Sequence, residues 1–240
     1  MNLRLSNVLG FRRIRVRNRI ITLGVIISGM LSVAFAIITF YGQNAGNFVM
    51  SVDSIAQDRG IILATDIDFT NPTPRLMTDP IMGARDMTYS WLKLEEVEAT
   101  NGNYTDIDYE YVAYTFYLKN QGSESVDITY HIRITDIYND LDTAIRILVI
   151  EDGERTVFQK ADTPDSFGNL PVYPENVPVS VNFLTETIVM RRLFTNFKPD
   201  QIKKFTVVIW LEGYDPDTVD EILGGMIRVQ MNFSINGLER

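Results

Sequence analysis

Few residues of this chain have the type and spacing that catalysis or metal binding requires. The sequence contains no cysteine and one histidine, His131, which excludes a cysteine nucleophile, a thiolate metal site and a multi-histidine metal site. A catalytic histidine needs an orienting carboxylate and a nucleophile or metal beside it, and the sequence has neither a G-x-S-x-G nor an H-E-x-x-H motif. We therefore interpret His131 as a surface residue on the polar face of a strand.

Two acidic segments contain enough carboxylates to be considered as cation sites. Glu212–Glu221 holds five carboxylates within ten residues, and calcium needs several oxygen ligands at about 2.4 Å. The EF-hand order is absent, so the favoured interpretation is a solvated loop, or Asp215 or Asp217 as the cap of a short turn over Thr218–Leu223. Asp136–Asp142 is interpreted as solvated in the same way. Calcium binding stays open but unsupported, and we assign no catalytic, cofactor-binding or metal-ligating residue and no cofactor.

The charges are distributed unevenly along the chain. The first 41 residues hold six arginines and no acidic residue, whereas 16 basic and 31 acidic residues follow them, so the remainder has a formal charge of −15. Nucleic-acid binding needs a basic surface. We therefore expect no nucleic-acid partner.

An uncharged run separates these two regions. Residues 20–41 (IITLGVIISGMLSVAFAIITFY) are 22 residues without a charge, long enough as a helix to cross a hydrocarbon core of about 30 Å. By the positive-inside rule, the sequence predicts a cytoplasmic arginine-rich head at residues 1–19, a transmembrane signal anchor in contact with membrane lipid at residues 20–41, and an extracellular domain at residues 42–240. The protein would then be a single-pass protein of the cell membrane.

Two alternatives remain for this run. A cleavable signal peptide has a shorter apolar region followed by a small-x-small site, and Ala34-Phe35-Ala36 is such a site. The apolar run continues past it, which favours an uncleaved anchor. A buried core helix is less favoured, because 22 uncharged residues beside an arginine cluster are difficult to place in a water-soluble core.

The remainder of the chain has the pattern of β-strands. Apolar and polar residues alternate in Val126–Thr135 and again in Met226–Ile235, which gives each strand one buried and one solvated face. Lys204–Leu211 has the nearly continuous apolar run of a strand that is buried on both faces.

Two hairpins are predicted between neighbouring strands. Ala144–Ile150 and Thr156–Ala161 flank an Asp-Gly pair, which is a strong hairpin signal. Tyr109–Leu118 is apolar on both faces, so both faces are expected to be covered. We expect it to form a hairpin with the strand that begins at Val126, through the turn-rich residues 119–123.

The prolines agree with these strands. All nine lie outside the predicted strands, as expected because proline cannot donate to a β-ladder. Four of them lie between Thr163 and Val179 and mark a long irregular connection. With six or more strands and no helix of ordinary length after residue 41, the predicted fold is all-β: an antiparallel two-sheet β-sandwich of jelly-roll or Greek-key type, preceded by one N-terminal transmembrane helix.

Three segments of this sequence resemble a known group of exported proteins. They are residues 111–122 (YVAYTFYLKNQG), 141–153 (LDTAIRILVIEDG) and 205–235 (FTVVIWLEGYDPDTVDEILGGMIRVQMNFSI), and they resemble the camelysin and biofilm-matrix fibre (TasA-like) proteins of Gram-positive bacteria. The resemblance implies a cysteine-free β-sandwich at the cell surface or in the matrix, in some members a fibre subunit released from the membrane. The camelysin name also carries a metalloprotease activity, which we do not carry over because the sequence has no metalloprotease motif.

The expected function is that of a membrane-anchored cell-surface β-sandwich with a structural or protein-interaction role, without enzymatic activity, whose partner is another protein or a second copy. Two alternatives remain open. A secreted fibre subunit would arise by cleavage near Ala36, after which residues 37–52 would add as a strand to a neighbouring sandwich. A surface hydrolase would need a pair of carboxylates in one pocket, and the sequence singles out no such pair.

Overall fold

Much of residues 46–236 forms paired strands, including the segments in which apolar and polar residues alternate. The computed structural model describes residues 21–33, 35 and 46–236. These residues belong to two units, Met1–Ala45 and Gly46–Arg240. The predicted cytoplasmic head at residues 1–19 lies outside the described residues.

In the first unit, residues 21–33 form helix α1, and residue 35 is also helical. The side chains of α1 are exposed, and the Ser32 hydroxyl donates a hydrogen bond to the carbonyl oxygen of Ser28 over 2.9 Å. Among the described residues, no helix has both the length and the apolarity that are needed to cross a membrane. The predicted anchor at residues 20–41 includes residues outside the described ranges, and it stays a prediction.

Over residues 46–236, the second unit contains short helices and thirteen strands. The helices are α2 (Ser54–Asp58) and α3 (Leu94–Ala99), with 3-10 turns at Tyr89–Trp91, Leu141–Thr143 and Asp220–Ile222. The strands are β1 (Phe48–Val52), β2 (Ile61–Ala64), β3 (Arg75–Met77), β4 (Asp86–Met87), β5 (Gly102–Asn103), β6 (Val112–Asn120), β7 (Val126–Tyr138), β8 (Ile145–Glu151), β9 (Glu154–Gln159), β10 (Val181–Asn182), β11 (Ile188–Phe197), β12 (Ile202–Glu212) and β13 (Met226–Ile235).

These strands form two packed sheets, so the predicted mainly-β class is confirmed. The five-stranded sheet has the order β11-β7-β13-β1-β3, and the eight-stranded sheet has the order β10-β9-β8-β12-β6-β2, with β4 beside β12 and β5 beside β6. Both sheets are mixed and not purely antiparallel, because β1 runs parallel to β13 and β10 runs parallel to β9. No tight turn joins either of these pairs, so chain connectivity does not impose the antiparallel direction on them.

Aromatic rings join the two sheets across the core. Phe116 and Phe205 come from the eight-stranded sheet, Tyr130 and Phe233 come from the five-stranded sheet, and all four are fully buried. The ring centroid of Phe205 lies 5.4 Å from that of Tyr130 and 5.3 Å from that of Phe233. The same core contains the predicted inward residues of the two alternating strands, which confirms that alternation: Val126, Ile128, Ile132, Ile134, Ile227, Val229, Met231 and Ile235.

The outer face of the eight-stranded sheet is covered by a second layer. Helix α3 and the segment before it pack there, and the resulting cluster contains Met87, Leu92, Leu94, Val97, Tyr111, Ala113, Leu148, Ile150, Val157, Val208 and Trp210. Strand β6 is therefore buried on both faces, as predicted for Tyr109–Leu118. This cover separates the eight-stranded sheet from solvent on the side away from the five-stranded sheet.

One of the two predicted hairpins is confirmed. Strand β8 pairs antiparallel with β9, around Asp152 and Gly153. Their φ angles of 48° and 93° are those of a left-handed turn that matches the twist of the strands. The irregular connection between Thr163 and Val179 is also confirmed, because it contains no strand.

The predicted hairpin between β6 and β7 is wrong. Strand β6 lies in the eight-stranded sheet and β7 in the five-stranded sheet, so residues 121–125 carry the chain from one sheet to the other. The Asn120 side chain holds this crossing, since its amide nitrogen donates to the carbonyl oxygens of Glu124 and Phe197, each over 2.8 Å. At Gly122 a Cβ would lie 2.2 Å from the Arg59 carbonyl oxygen, so only glycine fits. A turn-rich linker does not determine whether the next strand pairs with the preceding strand or crosses to the other sheet.

The aromatic core predicts a large difference between two truncations. Phe233→Ala removes a fully buried ring and is expected to lower the free energy of unfolding by about 3–5 kcal/mol. Val179→Ala, at a side chain that is 96% exposed, is expected to change it by less than about 0.5 kcal/mol. Guanidinium unfolding followed by tryptophan fluorescence measures both, and equal midpoints would contradict the assigned core.

Candidate functional site

A buried ion pair lies on the outer face of the eight-stranded sheet. Arg146 is on β8, between Ile145 and Ile147 of the inter-sheet core, so its side chain points to the opposite face. Its Nη1 lies 2.6 Å from Oδ2 of Asp215, and the two side chains are 1% and 2% exposed. Such a pair holds the loop after β12 against β8, because either charge alone would be buried without compensation.

Further polar groups surround this pair. The ring centroid of Tyr173 lies 5.4 Å from the guanidinium carbon of Arg146, and the Tyr173 hydroxyl donates to Asp162 over 2.6 Å. Burial, together with the negative charges of Asp215 and Asp162, raises the pKa of Asp217 above its usual value. Burial and the hydrogen bond to Asp162 likewise raise the pKa of Tyr173.

A second buried carboxylate belongs to the other acidic segment. Lys160 Nζ lies 2.8 Å from Oδ2 of Asp142, whose side chain is 1% exposed. Burial alone would lower the pKa of Lys160, but the hydrogen bond and charge of Asp142 leave it raised. The prediction that Asp136–Asp142 is solvated is therefore wrong for Asp142.

The loop Glu212–Glu221 also differs from its prediction. Glu212 is fully buried and accepts a hydrogen bond from the indole nitrogen of Trp210 over 3.0 Å. Asp215 accepts from the backbone of Asp217 over 2.9 Å, while the turn Asp220–Ile222 has no side-chain cap. The predicted cap and the solvated loop are thus both wrong for Asp215, because the side chain compensates Arg146 instead. Within the described ranges, no group of three or more histidine or carboxylate side chains is placed to hold a metal ion.

An apolar cavity opens at one end of the sheets, near Trp210. Its volume is about 310 Å³, and its walls include Ile145, Ile209 and Ile227 from both sheets. A neighbouring groove of about 310 Å³ brings together the tyrosines Tyr104, Tyr109 and Tyr111 with Asp106. Desolvation and the carboxylate of Glu96 raise the pKa of Tyr104 to about 12, and its hydroxyl donates a hydrogen bond to Glu96 over 2.8 Å.

His131 lies on β7, the second strand of the five-stranded sheet, on its outer face. Its cross-strand neighbours are Arg191 on β11 and Asn232 on β13, and Asn232 is followed across the sheet by Ser51 and then Arg75. These five residues form one row across all five strands. The row has an arginine at each end and no carboxylate, so neither register neighbour supplies His131 with the acid that a catalytic histidine requires.

This outer face, which we call the basic face, carries Arg75, Arg133, Arg191 and Arg228. Its two aspartates lie on β7, Asp127 near one end and Asp136 near the other, and Asp136 pairs with Arg228 over 3.7 Å. Among the described residues, no ion pair involves Arg75, Arg133 or Arg191, and all three are exposed. A strongly acidic domain therefore keeps one face with an excess of positive charge.

Sequence reasoning missed both Arg146 and the basic face. The available sequence signal for a buried charge was Arg146 itself, which is a single arginine within an apolar run. The row from Arg191 to Arg75 had no comparable signal, because it combines strands that are distant in the sequence and becomes visible only through the register.

Comparison with known proteins assigns neither a family nor a function to this chain. No protein-family model matches this sequence, and no curated protein matches it. Among solved structures, it is similar to two crystal structures of the β-glucosidase from Kluyveromyces marxianus, one in complex with glucose and one selenomethionine-labelled. They are 10% and 11% identical, cover 79% and 78% of this chain, and have TM-scores of 0.23 and 0.25. The matched region spans 17% and 19% of those chains, and TM-scores this low carry no argument about fold or function.

The buried cluster predicts opposite effects of two neighbouring substitutions. Asp215→Asn leaves Arg146 buried without its counter-charge and is expected to cost about 3–5 kcal/mol of stability, a fall in Tm of roughly 6–20 °C. Asp217→Asn is expected to raise Tm at neutral pH, because the raised pKa of Asp217 means that its ionisation is unfavourable in the folded state.

The effect of Asp217→Asn on Tm is expected to depend on pH. In the wild-type protein, the contribution of Asp217 to stability falls as pH rises from 3.8 through its raised pKa, because the folded state binds the proton more tightly than the unfolded state. Asp217→Asn removes this contribution, so its advantage over wild type should disappear in acid. Thermal unfolding across pH measures Asp215→Asn and Asp217→Asn. Equal losses of Tm in the two variants at neutral pH would refute the roles assigned to Asp215 and Asp217.

Proposed function

We propose that this protein is a membrane-anchored cell-surface β-sandwich whose role is structural or depends on protein interaction, and not on catalysis. The observation that carries this proposal is the basic face, where Arg75, Arg133 and Arg191 are exposed without an ion pair among the described residues. The segment after residue 41 has a formal charge of −15. Unpaired arginines in such an acidic domain favour a surface that is reserved for a partner.

The buried charges support a structural interpretation of the remaining polar groups. Arg146, Asp215 and Asp142 are almost completely inaccessible, so a substrate in solution cannot reach them without local unfolding. Their bonds instead attach the loops after β9 and β12 to the sheet. The hydrolase alternative still lacks an identified pair of reacting carboxyl groups.

We further propose that the two packed sheets form a sandwich of jelly-roll or Greek-key type. Support comes from the path of the chain, which passes between the sheets after β1, β2, β3, β6, β7, β10, β11 and β12. Such repeated crossings, and not a series of hairpins within one sheet, are typical of these folds.

The secreted-subunit alternative predicts that residues 37–52 add to a neighbouring sandwich. Within this stretch, β1 (Phe48–Val52) already pairs with β13 on one side and β3 on the other in its own sheet. Its residues Phe48 and Met50 are fully buried in the core. Donating this strand would open the core of its own domain, and this favours the anchored form.

The mature N-terminus distinguishes the two forms. Mass spectrometry of separated membrane and medium fractions is expected to find the peptide that begins at Met1 in the membrane fraction. A chain that begins near Ile37 and is recovered from the medium would overturn the anchor and favour the secreted subunit.

A substitution in the predicted anchor provides an independent test. Ile27→Arg places a charge inside the apolar run, at a cost of about 2.5–3.5 kcal/mol for membrane insertion, and is expected to reduce membrane retention. Arg17→Lys keeps the charge of the head and is the matched control, which should be retained like the wild-type protein. Equal retention of both variants would contradict the proposed span.

A further inference from the structure

We propose that the basic face binds the acidic outer side of the eight-stranded sheet of a second copy of this chain. This inference rests on the proposed interaction role and names its partner. The argument uses the register of the five-stranded sheet, the position of α3 and the distribution of charge over the described domain.

The basic face presents its charges at a fixed spacing. Arg191 and Arg75 stand at the two ends of one row across the sheet, four strand spacings or about 19 Å apart. His131, Asn232 and Ser51 lie between them and supply polar groups. The row therefore has positive charge at both edges of the sheet.

The complementary surface lies on the other side of the same domain. Helix α3 covers the face of the eight-stranded sheet that is turned away from the five-stranded sheet. Glu95 and Glu96 in α3 are exposed, and Glu98 follows in the same helix, paired with Arg155 over 2.6 Å. We call this surface the acidic side.

An aromatic pair next to α3 adds apolar contact area. The ring centroids of Trp91 and Tyr109 lie 5.1 Å apart in a stacked arrangement, and Trp91 is 48% exposed. Tryptophan and tyrosine are enriched among residues that dominate binding energy at interfaces. The acidic side therefore combines charge opposite to that of the basic face with an exposed ring that a partner would cover.

The positions of the two surfaces determine the geometry of association. The basic face and the acidic side lie on opposite sides of one domain, so a contact between them joins different surfaces of two copies. Such a heterologous contact does not close by two-fold symmetry and leaves both ends of the dimer free. The expected product is an open row of domains stacked face to back, in which each copy keeps its own β1.

Charge reversal on each side tests this arrangement on the full chain in detergent. The first variant is Arg75→Glu with Arg191→Glu, and the second is Glu95→Lys with Glu96→Lys. The wild-type protein should form species larger than a monomer that grow with concentration and dissociate in about 1 M salt, where screening is strong. Each variant alone should self-associate at least roughly tenfold more weakly, because like charges face each other at the contact.

The mixture of the two variants is the decisive sample. The first variant keeps its acidic side and the second keeps its basic face, and their two reversed surfaces are also opposite in charge, so an equimolar mixture should form hetero-oligomers, beginning with a heterodimer, that neither variant forms alone. Sedimentation velocity resolves monomer, dimer and longer species. The matched controls make the same charge changes at residues that lie neither on the strands of the five-stranded sheet nor in α3: Arg85→Glu with Lys198→Glu, and Glu175→Lys with Glu221→Lys. All these side chains are exposed, and unchanged thermal unfolding verifies that the variants fold.

Each outcome decides the inference. A wild-type protein that stays monomeric in low salt, or a mixture without heterodimer, would overturn it. Binding of polyphosphate by a monomeric wild-type protein, lost in the first variant, would assign the basic face to an anionic polymer instead. A protein that is retained in the membrane but monomeric would refute this inference and leave the anchor intact, whereas a released protein that still self-associates would refute the anchor alone.

Discussion

Contacts among four aromatic rings hold the two sheets of this protein together and determine which faces remain for other roles. Phe116 and Phe205 meet Tyr130 and Phe233 at centroid distances between 5.3 and 6.1 Å. Because this core uses the inner face of each sheet, the two outer faces are free to differ. The eight-stranded sheet buries its outer face under α3 and the segment before it. The outer face of the five-stranded sheet instead carries polar residues, of which Arg75, Arg133 and Arg191 are exposed.

The buried charges follow from that second layer. Arg146 points into it from β8, and a guanidinium removed from water needs a counter-charge at close range. Asp215 provides this charge from the loop after β12, and Tyr173 stacks on the guanidinium from the long connection after β9. Two irregular segments that have little regular backbone pairing are thereby attached to the sheet, so the cluster defines the conformation of these loops.

The exposed charges show the opposite arrangement. The domain carries a large excess of acid, yet its five-stranded sheet keeps an uncompensated row between Arg191 and Arg75. Acidic α3 residues lie beyond the other sheet. Charge is thereby segregated to opposite sides of the domain, and the proposed self-association depends on this complementarity.

The sequence by itself determined the local properties of this protein: the uncharged run at residues 20–41, the mainly-β class, the inward residues of β7 and β13, and the turn between β8 and β9. Each depends on neighbouring residues, through periodicity or turn chemistry. The tertiary structure alone decided that β6 and β7 separate into different sheets, that Asp142 and Asp215 are buried, and that Arg191, His131 and Arg75 share one row. These features depend on the pairing of segments that are distant in the chain, and a hydrophobic pattern specifies which face of a strand is buried but not which strand lies beside it.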